Sequence, residues 1–285
     1  MPSARTSGPT LFIIGGAEDR MGRASLLRRF VKLSGGRRSR LVVVPTASSF
    51  QDEVVDAYTQ VFTRLGAAAP GVVNPTSRQD AHDPALVALI DQATGVFFSG
   101  GSQLKLSQYF PGTPVGDAVH RAHARGAVIG GTSAGASIMS DFMISLGGEG
   151  TTALQRTSQI SAGLGLISGV VVDQHFGQRA RYGRLMSVLA VSPNLIGVGI
   201  DEDTAIEVVD GAEFTVHGRG AVFVLDCRAA RTDAADARTG APLLISGAIV
   251  HNLPAGSTFS LESMRLIAFS EKHPDIVVST QTATS

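Results

Sequence analysis

Short runs of apolar residues alternate with longer stretches of helical periodicity up to about residue 200. Four of these runs are apolar throughout and are followed by glycine, serine or proline: residues 11–14, 41–44, 96–98 and 128–129. A strand that is apolar on both faces is typical of a parallel sheet with helices on both sides. The four runs therefore predict buried strands of such a sheet.

Hydrophobic residues between these runs recur at the spacing of an α-helix. In residues 51–65 they form one stripe, and Gly66 follows as a helix-ending residue. Thr113 and Pro114 begin a second helical stripe, which Gly126 closes. This alternation predicts an α/β fold, a three-layer α/β/α sandwich around a mostly parallel sheet with right-handed crossovers.

The pattern changes beyond about residue 200. Strand-like runs at residues 204–209, 213–216, 222–225 and 243–250 are separated by turns rather than by helices. They predict antiparallel strands added to the sheet in the C-terminal part. Because the chain has no linker, repeat or low-complexity tract, residues 1–285 are predicted to form a single catalytic domain, with residues 1–9 and about 274–285 loosely ordered.

Composition limits the class of partner. The chain has 285 residues, of which 44% are hydrophobic, and its 24 basic residues balance its 24 acidic ones. Without a net field, nucleic acid and membrane surfaces are not expected partners. The lone cysteine, Cys227, allows no intrachain disulfide, and no segment has the pattern of a signal peptide or a membrane span. These features predict a soluble, cytoplasmic protein.

Residues 131–135 read Gly-Thr-Ser-Ala-Gly and directly follow a predicted strand. Small residues on both sides permit the strained strand-to-helix turn of a nucleophile elbow, which exposes the hydroxyl of Ser133. The alternative is a glycine-rich turn that merely packs tightly. The glycine turn at Gly100 and Gly101 should reach the same edge of the sheet, so the backbone amides of Gly101 and Ala134 could form an oxyanion hole.

A serine nucleophile needs a base, and His175 is the one of seven histidines that ends an apolar run, residues 170–176. The alternative is a capping or core histidine. His120 and His123 lie together on a predicted helix and should be exposed, but they lack the third ligand that a metal site needs.

The third member of a triad is a carboxylate that orients the imidazole. Asp201, Glu202 and Asp203 follow the strand-like residues 196–200, and Asp173 is a fourth possibility. Spacing does not choose among these four acids. The alternative for the acidic trio is a solvated turn or a helix N-cap.

Five segments in order resemble the cyanophycinases, which belong with aspartyl dipeptidase in a family of serine peptidases with the class I glutamine amidotransferase-like fold. The segments are residues 14–19, 100–103, 130–136, 173–184 and 199–206, and the resemblance extends from about residue 10 to about residue 250. It implies that Ser133 is the nucleophile, His175 the general base and Glu202 the orienting acid.

The resemblance also implies a substrate. Cyanophycin is a poly-aspartate backbone with arginine on its side-chain carboxyls, and hydrolysis by an exopeptidase through an acyl-enzyme would release β-Asp-Arg dipeptides. Acids and amides can hold guanidinium groups, while arginines can hold carboxylates. The matching positions that would line the substrate site are Gln103, Asp173, Gln174, Arg179, Arg181 and Arg184.

The same resemblance implies a homodimer and a reaction that needs no metal ion or organic cofactor. One alternative is an aspartyl dipeptidase or isoaspartyl peptidase acting on short Asp-X peptides, and another is a non-catalytic peptide-binding protein. For the arginines the alternative is a solvated helix face, on which Arg181 and Arg184 would share a side and Arg179 would point elsewhere.

One position departs from the family. Where the cyanophycinases usually have Gly-Gly-Asp-Gln, this chain has Ser102 in place of the aspartate. A charge near the substrate is therefore lost. We expect this change to affect substrate preference more than reaction class.

Overall fold

The computed structural model describes residues 8–270. The residues predicted to be loosely ordered, 1–9 and about 274–285, lie outside this range except for Gly8 and Pro9. Within it the α-helices are α1 (Ser25–Leu33), α2 (Gln51–Arg64), α3 (Pro84–Gln92), α4 (Gln103–Tyr109), α5 (Pro114–Ala124), α6 (Ala134–Ser137) and α7 (Tyr182–Val191). Each of these helices falls short of the length and continuous hydrophobicity that crossing a bilayer requires.

The strands of the same range run in chain order as follows. They are β1 (Thr10–Ile14), β2 (Leu41–Val44), β3 (Gly71–Val72), β4 (Gly95–Phe98), β5 (Val128–Thr132), β6 (Phe142–Leu146), β7 (Gln159–Ala162), β8 (Val170–Gln174), β9 (Ile196–Ile200), β10 (Thr204–Val209), β11 (Glu213–Gly218), β12 (Ala221–Asp226), β13 (Arg231–Thr232), β14 (Ile245–Ser246), β15 (Ile249–Pro254), β16 (Ser257–Ser260) and β17 (Arg265–Phe269).

The largest sheet has nine strands in the order β17-β16-β11-β10-β1-β5-β4-β2-β3. Strands β1, β5, β4, β2 and β3 are parallel to one another and contain the four apolar runs. Strands β10, β11, β16 and β17 pair antiparallel on the other side of β1. The predicted α/β class and the late antiparallel strands are confirmed.

Helices cover both faces of the parallel half. On one face, α1 and α2 pack aromatic rings against the sheet, with Phe97 touching Phe30 at 5.1 Å and Phe62 at 5.6 Å between ring centroids. On the other face, α3 and α5 bury Ile90, Val115 and other apolar side chains. A strand that is apolar on both faces is stable only when both faces are covered, which is why these runs form the centre of a sandwich.

A second sheet, β15-β12-β9-β8, was not predicted. Strands β8 and β9 are parallel, and β12 pairs with β9 antiparallel. Val172 and Val198 of this sheet share one hydrophobic cluster with Val208 of the large sheet, and α7 covers the opposite face with Leu185 and other residues. The apolar pattern predicted β8, β9 and β12, but the single run expected at residues 243–250 is divided into β14 and β15, and the pattern did not reveal which strands would pair.

Glu207 on β10 holds the antiparallel half to α1. Its carboxylate accepts two hydrogen bonds from Arg29, at 2.7 and 2.9 Å. His217 Nε2 lies 3.1 Å from one of the same oxygens. Burial would raise the pKa of Glu207, but the hydrogen bonds from His217 and Arg29 outweigh burial and hold the pKa at about 2, below its ordinary 4.5.

We therefore expect Glu207→Gln to lower the free energy of unfolding at pH 7 by up to about 3 kcal/mol. A carboxylate with a depressed pKa contributes its full stabilisation above the unfolded value of about 4.5 and loses it as the pH falls towards 2. Urea unfolding at pH 7 and at pH 3 would measure this, and the gap between variant and wild type should shrink at the lower pH. Glu213→Gln on β11, which has no ion-pair partner among residues 8–270, is the matched control. Equal destabilisation by both variants would contradict the role of the ion pair.

Candidate active site

Ser133 stands at the turn between β5 and α6 with φ 54° and ψ −115°, a conformation that non-glycine residues rarely adopt. The glycines on either side are required by close approach. A Cβ on Gly131 would lie 2.3 Å from the carbonyl oxygen of Gly135, and a Cβ on Gly135 would lie 2.2 Å from that of Phe98. The turn therefore has the strained geometry that the small-residue pattern predicted.

The hydroxyl of Ser133 meets the side chain of His175. Ser133 Oγ lies 3.0 Å from His175 Nε2, and His175 Nδ1 lies 2.6 Å from Glu202 Oε1. Ser133 comes from the large sheet, whereas His175 follows β8 and Glu202 follows β9 in the second sheet. A carboxylate at Nδ1 keeps the proton on that nitrogen, so Nε2 is free to accept the hydroxyl proton.

Of the four acids that spacing left open, Glu202 is the one that contacts the imidazole. Asp201 accepts backbone N–H groups from Gly177 at 2.9 Å and Ala221 at 3.1 Å. Asp203 accepts the backbone N–H of Asp19 at 3.1 Å. These neighbours of Glu202 hold turns together, and Asp173 is bound elsewhere.

The environment of His175 favours its neutral form. Burial lowers the pKa of His175 below its ordinary 6.5, the hydrogen bond that His175 donates to Glu202 raises it in part, and the positive charges of Arg179 and Arg181 lower it further. A neutral imidazole can act as a general base at neutral pH.

The backbone at the end of β1 holds together the three turns that carry the nucleophile, the base and the acid. Three consecutive carbonyls of this segment each accept one backbone N–H. Ile14 accepts that of Ser133 at 3.1 Å, Gly15 that of His175 at 2.7 Å, and Gly16 that of Asp203 at 2.9 Å. Gly16 has φ 106°, and a Cβ there would lie 2.4 Å from His175 Nε2. The exit of β1 thus touches the turn of the nucleophile, the turn of the base and the turn of the acid.

The oxyanion hole predicted from Gly101 and Ala134 involves the two turns that meet at Ser133. A Cβ on Gly100 would be 3.1 Å from that of Ser133, so the glycine turn after β4 packs directly against the elbow. Within residues 8–270, the N–H groups of Gly101 and Ala134 donate no hydrogen bond to the protein. They are therefore available to a substrate oxygen.

Gln174 forms a second contact with the nucleophile, and Arg181 holds Gln174 in place. Ser133 Oγ lies 3.3 Å from Gln174 Oε1, and Arg181 donates to the same oxygen at 2.9 Å and to the Gln174 carbonyl at 2.7 Å. Burial, followed by the charge of Arg184, lowers the pKa of Arg181 to about 10. Arg179, by contrast, is exposed and contributes its charge to the surroundings of His175.

Asp173 and Arg184 are turned towards each other rather than towards the open site. Both are buried, and Arg184 donates from Nε to Asp173 Oδ2 at 2.7 Å and from a second nitrogen to Oδ1. Arg181, the N-cap of α7, and Arg184 within α7 are both buried and approach Asp173, so the alternative of a solvated helix face does not hold for them; Arg179 lies before α7 and is exposed. Gln103 donates from Nε2 to the carbonyl of Ile144 at 2.7 Å. Direct substrate contact by Gln103, Asp173 and Arg184 stays a prediction.

Ser102, the departure from the family pattern, is the N-cap of α4, and its exposed side chain accepts the N–H of Lys105 at 3.5 Å. His120 is exposed as expected, but His123 is half-buried, and burial lowers its pKa.

Sequence reasoning assigned no role to Glu18, which lies buried beneath the elbow. A carboxylate two positions after a buried strand and its glycine pair was the signal that could have identified it.

Comparison with known proteins gives this geometry a family context. The sequence model of Peptidase family S51 matches residues 11–216. The chain is 33% identical over 264 residues to the cyanophycinase of Nostoc sp. strain PCC 7120, covering 92% of this chain and 88% of that protein. It is 31% identical over 261 residues to the cyanophycinase of Geminocystis herdmanii, covering 91% and 96% respectively. The crystal structure of a peptidase from an acI-B1 Actinobacterium has a TM-score of 0.62 over 90% of this chain and 97% of that chain; at 22% identity this is a likeness of fold.

Proposed function

The chain belongs to peptidase family S51, and on this premise we propose that it hydrolyses cyanophycin to β-Asp-Arg dipeptides with Ser133, His175 and Glu202 as its catalytic triad. The observation that carries the proposal is the continuous path of contacts from Ser133 Oγ through His175 to Glu202, at 3.0 and 2.6 Å. Relatives named as cyanophycinases that align over most of the chain support the substrate.

The proposed reaction begins with attack of Ser133 Oγ on the carbonyl carbon of a backbone amide in the poly-aspartate chain. The hydroxyl proton passes to His175 Nε2, and the amides of Gly101 and Ala134 stabilise the oxygen that becomes negative. His175 then gives its proton to the leaving amine, and the carbonyl carbon stays bound to Ser133 as an ester. Water activated by His175 breaks this ester and restores the hydroxyl.

Recognition of the substrate rests on charge complementarity. The exposed Arg179 can hold a carboxylate, and Gln174, which Arg181 fixes beside the nucleophile, can bind the substrate backbone. Release of an intact β-Asp-Arg dipeptide requires cleavage of the aspartate backbone and not of the bond to the arginine. Attack from a chain end would produce dipeptide from the first turnover.

Digestion of purified cyanophycin with identification of the products by mass spectrometry tests this function. We expect β-Asp-Arg as the product, and protein that leaves the polymer intact would contradict the substrate. The alternative is a dipeptidase for short aspartyl peptides, because Ser102 stands where the family has aspartate and this change bears on substrate preference. Turnover of Asp-X dipeptides that greatly exceeds turnover of cyanophycin would support it instead.

The dependence of kcat/KM on pH follows from the protonation of His175. Only the neutral imidazole can accept the hydroxyl proton, so activity should fall as the pH drops through the pKa of His175. Because burial lowers that pKa, with Glu202 opposing and Arg179 reinforcing the shift, we expect the midpoint of the acidic limb below pH 6.5. A pH–rate profile measures it, and Arg179→Gln should move the midpoint upwards. A midpoint above 6.5, or one that falls in the variant, would contradict this assignment.

A single catalytic domain over residues 1–285, a cytoplasmic location and a homodimer stay predictions. Equilibrium sedimentation of the purified protein tests the last of these, with twice the chain mass expected.

A further inference from the structure

Glu18 is a buried carboxylate that the proposed reaction does not use. Its side chain is part of the segment that leaves β1, and the residue is 6% exposed. Oε1 accepts a hydrogen bond from the Tyr58 hydroxyl and Oε2 accepts one from the Thr132 hydroxyl, each at 2.5 Å. Both donors are buried as well. A carboxylate out of water requires such partners, so these three side chains form one connected unit.

Thr132 connects this unit to the nucleophile because it is the residue directly before Ser133. The strained backbone of Ser133 persists only if its surroundings hold it in place. The Ser133 N–H is held by Ile14, and the side chain of Thr132 is held by Glu18 four residues further along the same segment. Residues at both ends of the segment from Ile14 to Glu18 therefore hold the peptide that leads into Ser133.

The same segment also carries the contacts to the base and the acid. Gly15 accepts the N–H of His175, and Gly16 accepts the N–H of Asp203, the neighbour of Glu202. Glu18 thus adds a side-chain bond to the nucleophile strand from a segment whose backbone already fixes the other two turns. Displacement of a reacting atom by about 1 Å can slow an enzyme on the order of 100-fold.

We propose that Glu18 is a positioning residue for the nucleophile, acting through its hydrogen bond to Thr132. This inference rests on the proposed role of Ser133. The second partner of Glu18, Tyr58, keeps its proton, because burial and then the charge of Glu18 raise its pKa well above 10. Tyr58 therefore donates to Glu18 and satisfies the oxygen that does not face the elbow.

The test uses a pair of variants at Thr132. Thr132→Val removes the donor and keeps the shape, whereas Thr132→Ser keeps the donor. The measured quantities are the rate of covalent labelling of Ser133 by a fluorophosphonate, the kcat and KM for cyanophycin, and the melting temperature. We expect Thr132→Val to slow labelling and kcat by on the order of 10- to 100-fold, with KM within about twofold, while Thr132→Ser stays within about threefold of wild type.

A matched control separates positioning from loss of stability. Thr113 has a buried hydroxyl that donates to the carbonyl of Phe110 at 2.9 Å and contacts none of the site residues. We expect Thr113→Val to lower the melting temperature but to label at the wild-type rate. The positioning role is wrong if Thr132→Val labels as fast as Thr113→Val, or if Thr132→Ser is as slow as Thr132→Val. Wild-type protein that labels at Ser133 but leaves cyanophycin intact would instead contradict the proposed substrate.

Discussion

Ser133→Ala is expected to reduce release of dipeptide from cyanophycin on the order of 10⁵- to 10⁶-fold. The variant leaves His175 facing a methyl group, which has no lone pair to attack the substrate carbonyl. Oxyanion stabilisation and substrate binding would remain and account for residual activity. Quantifying the dipeptide by mass spectrometry over long incubations would measure the loss, and the fluorophosphonate adduct should disappear with it.

Ser137, four residues further along at the end of α6, offers a matched control. It is fully buried, and its hydroxyl has no hydrogen-bond partner within residues 8–270. Ser137→Ala should therefore keep activity within about twofold and should not lower stability, because no bond is lost. Substantial turnover by Ser133→Ala, or a comparable loss in Ser137→Ala, would contradict the assignment of the nucleophile.

The local features of this site could be predicted because they arise from short-range requirements. The backbone at Ser133 brings Gly131 and Gly135 so close to other main-chain atoms that a side chain does not fit, and this requirement is visible as a small-residue pattern. Strands β1, β2, β4 and β5 are apolar on both faces because helices cover both sides of their sheet.

Long-range pairing could not be predicted in this way. The apolar runs of β8, β9 and β12 fit any buried sheet, so their separation into a second sheet depends on contacts the pattern does not encode. The bond between Glu18 and Thr132 joins residues 114 positions apart. Arg184 is a further example. A charged residue on a predicted helix is expected to face solvent or substrate, and its buried ion pair with Asp173 is visible only in the structure.

The choice of acid depended on a similar three-dimensional fact. Asp201, Glu202 and Asp203 are adjacent and chemically alike, and only the turn after β9 determines which one faces the imidazole. The family resemblance selected Glu202, and the contact at 2.6 Å agrees with it. A substitution at this position is consequently the sharpest test of the triad after Ser133 itself.

Glu202→Gln is expected to lower kcat on the order of 10³- to 10⁴-fold with little change in KM. The amide has nearly the shape of the carboxylate, but its NH₂ group can donate to His175 Nδ1. That contact favours the tautomer with the proton on Nε2, which then donates to Ser133 instead of accepting from it. Loss of the Glu202 carboxylate also removes the hydrogen bond that raises the pKa of His175, so the acidic limb of the pH–rate profile should move to lower pH.

Asp203→Asn is the control for this prediction, because Asp203 is the neighbouring acid and its side chain contacts neither Ser133 nor His175. Its Oδ1 accepts the N–H of Asp19, a bond that the oxygen of asparagine can keep, and asparagine tolerates the φ of 46° found there. We expect kcat within about threefold of wild type and an unchanged acidic limb. If Asp203→Asn instead loses activity and shifts the limb while Glu202→Gln does neither, the carboxylate that orients His175 during the reaction is Asp203, and the turn after β9 must rearrange when substrate binds.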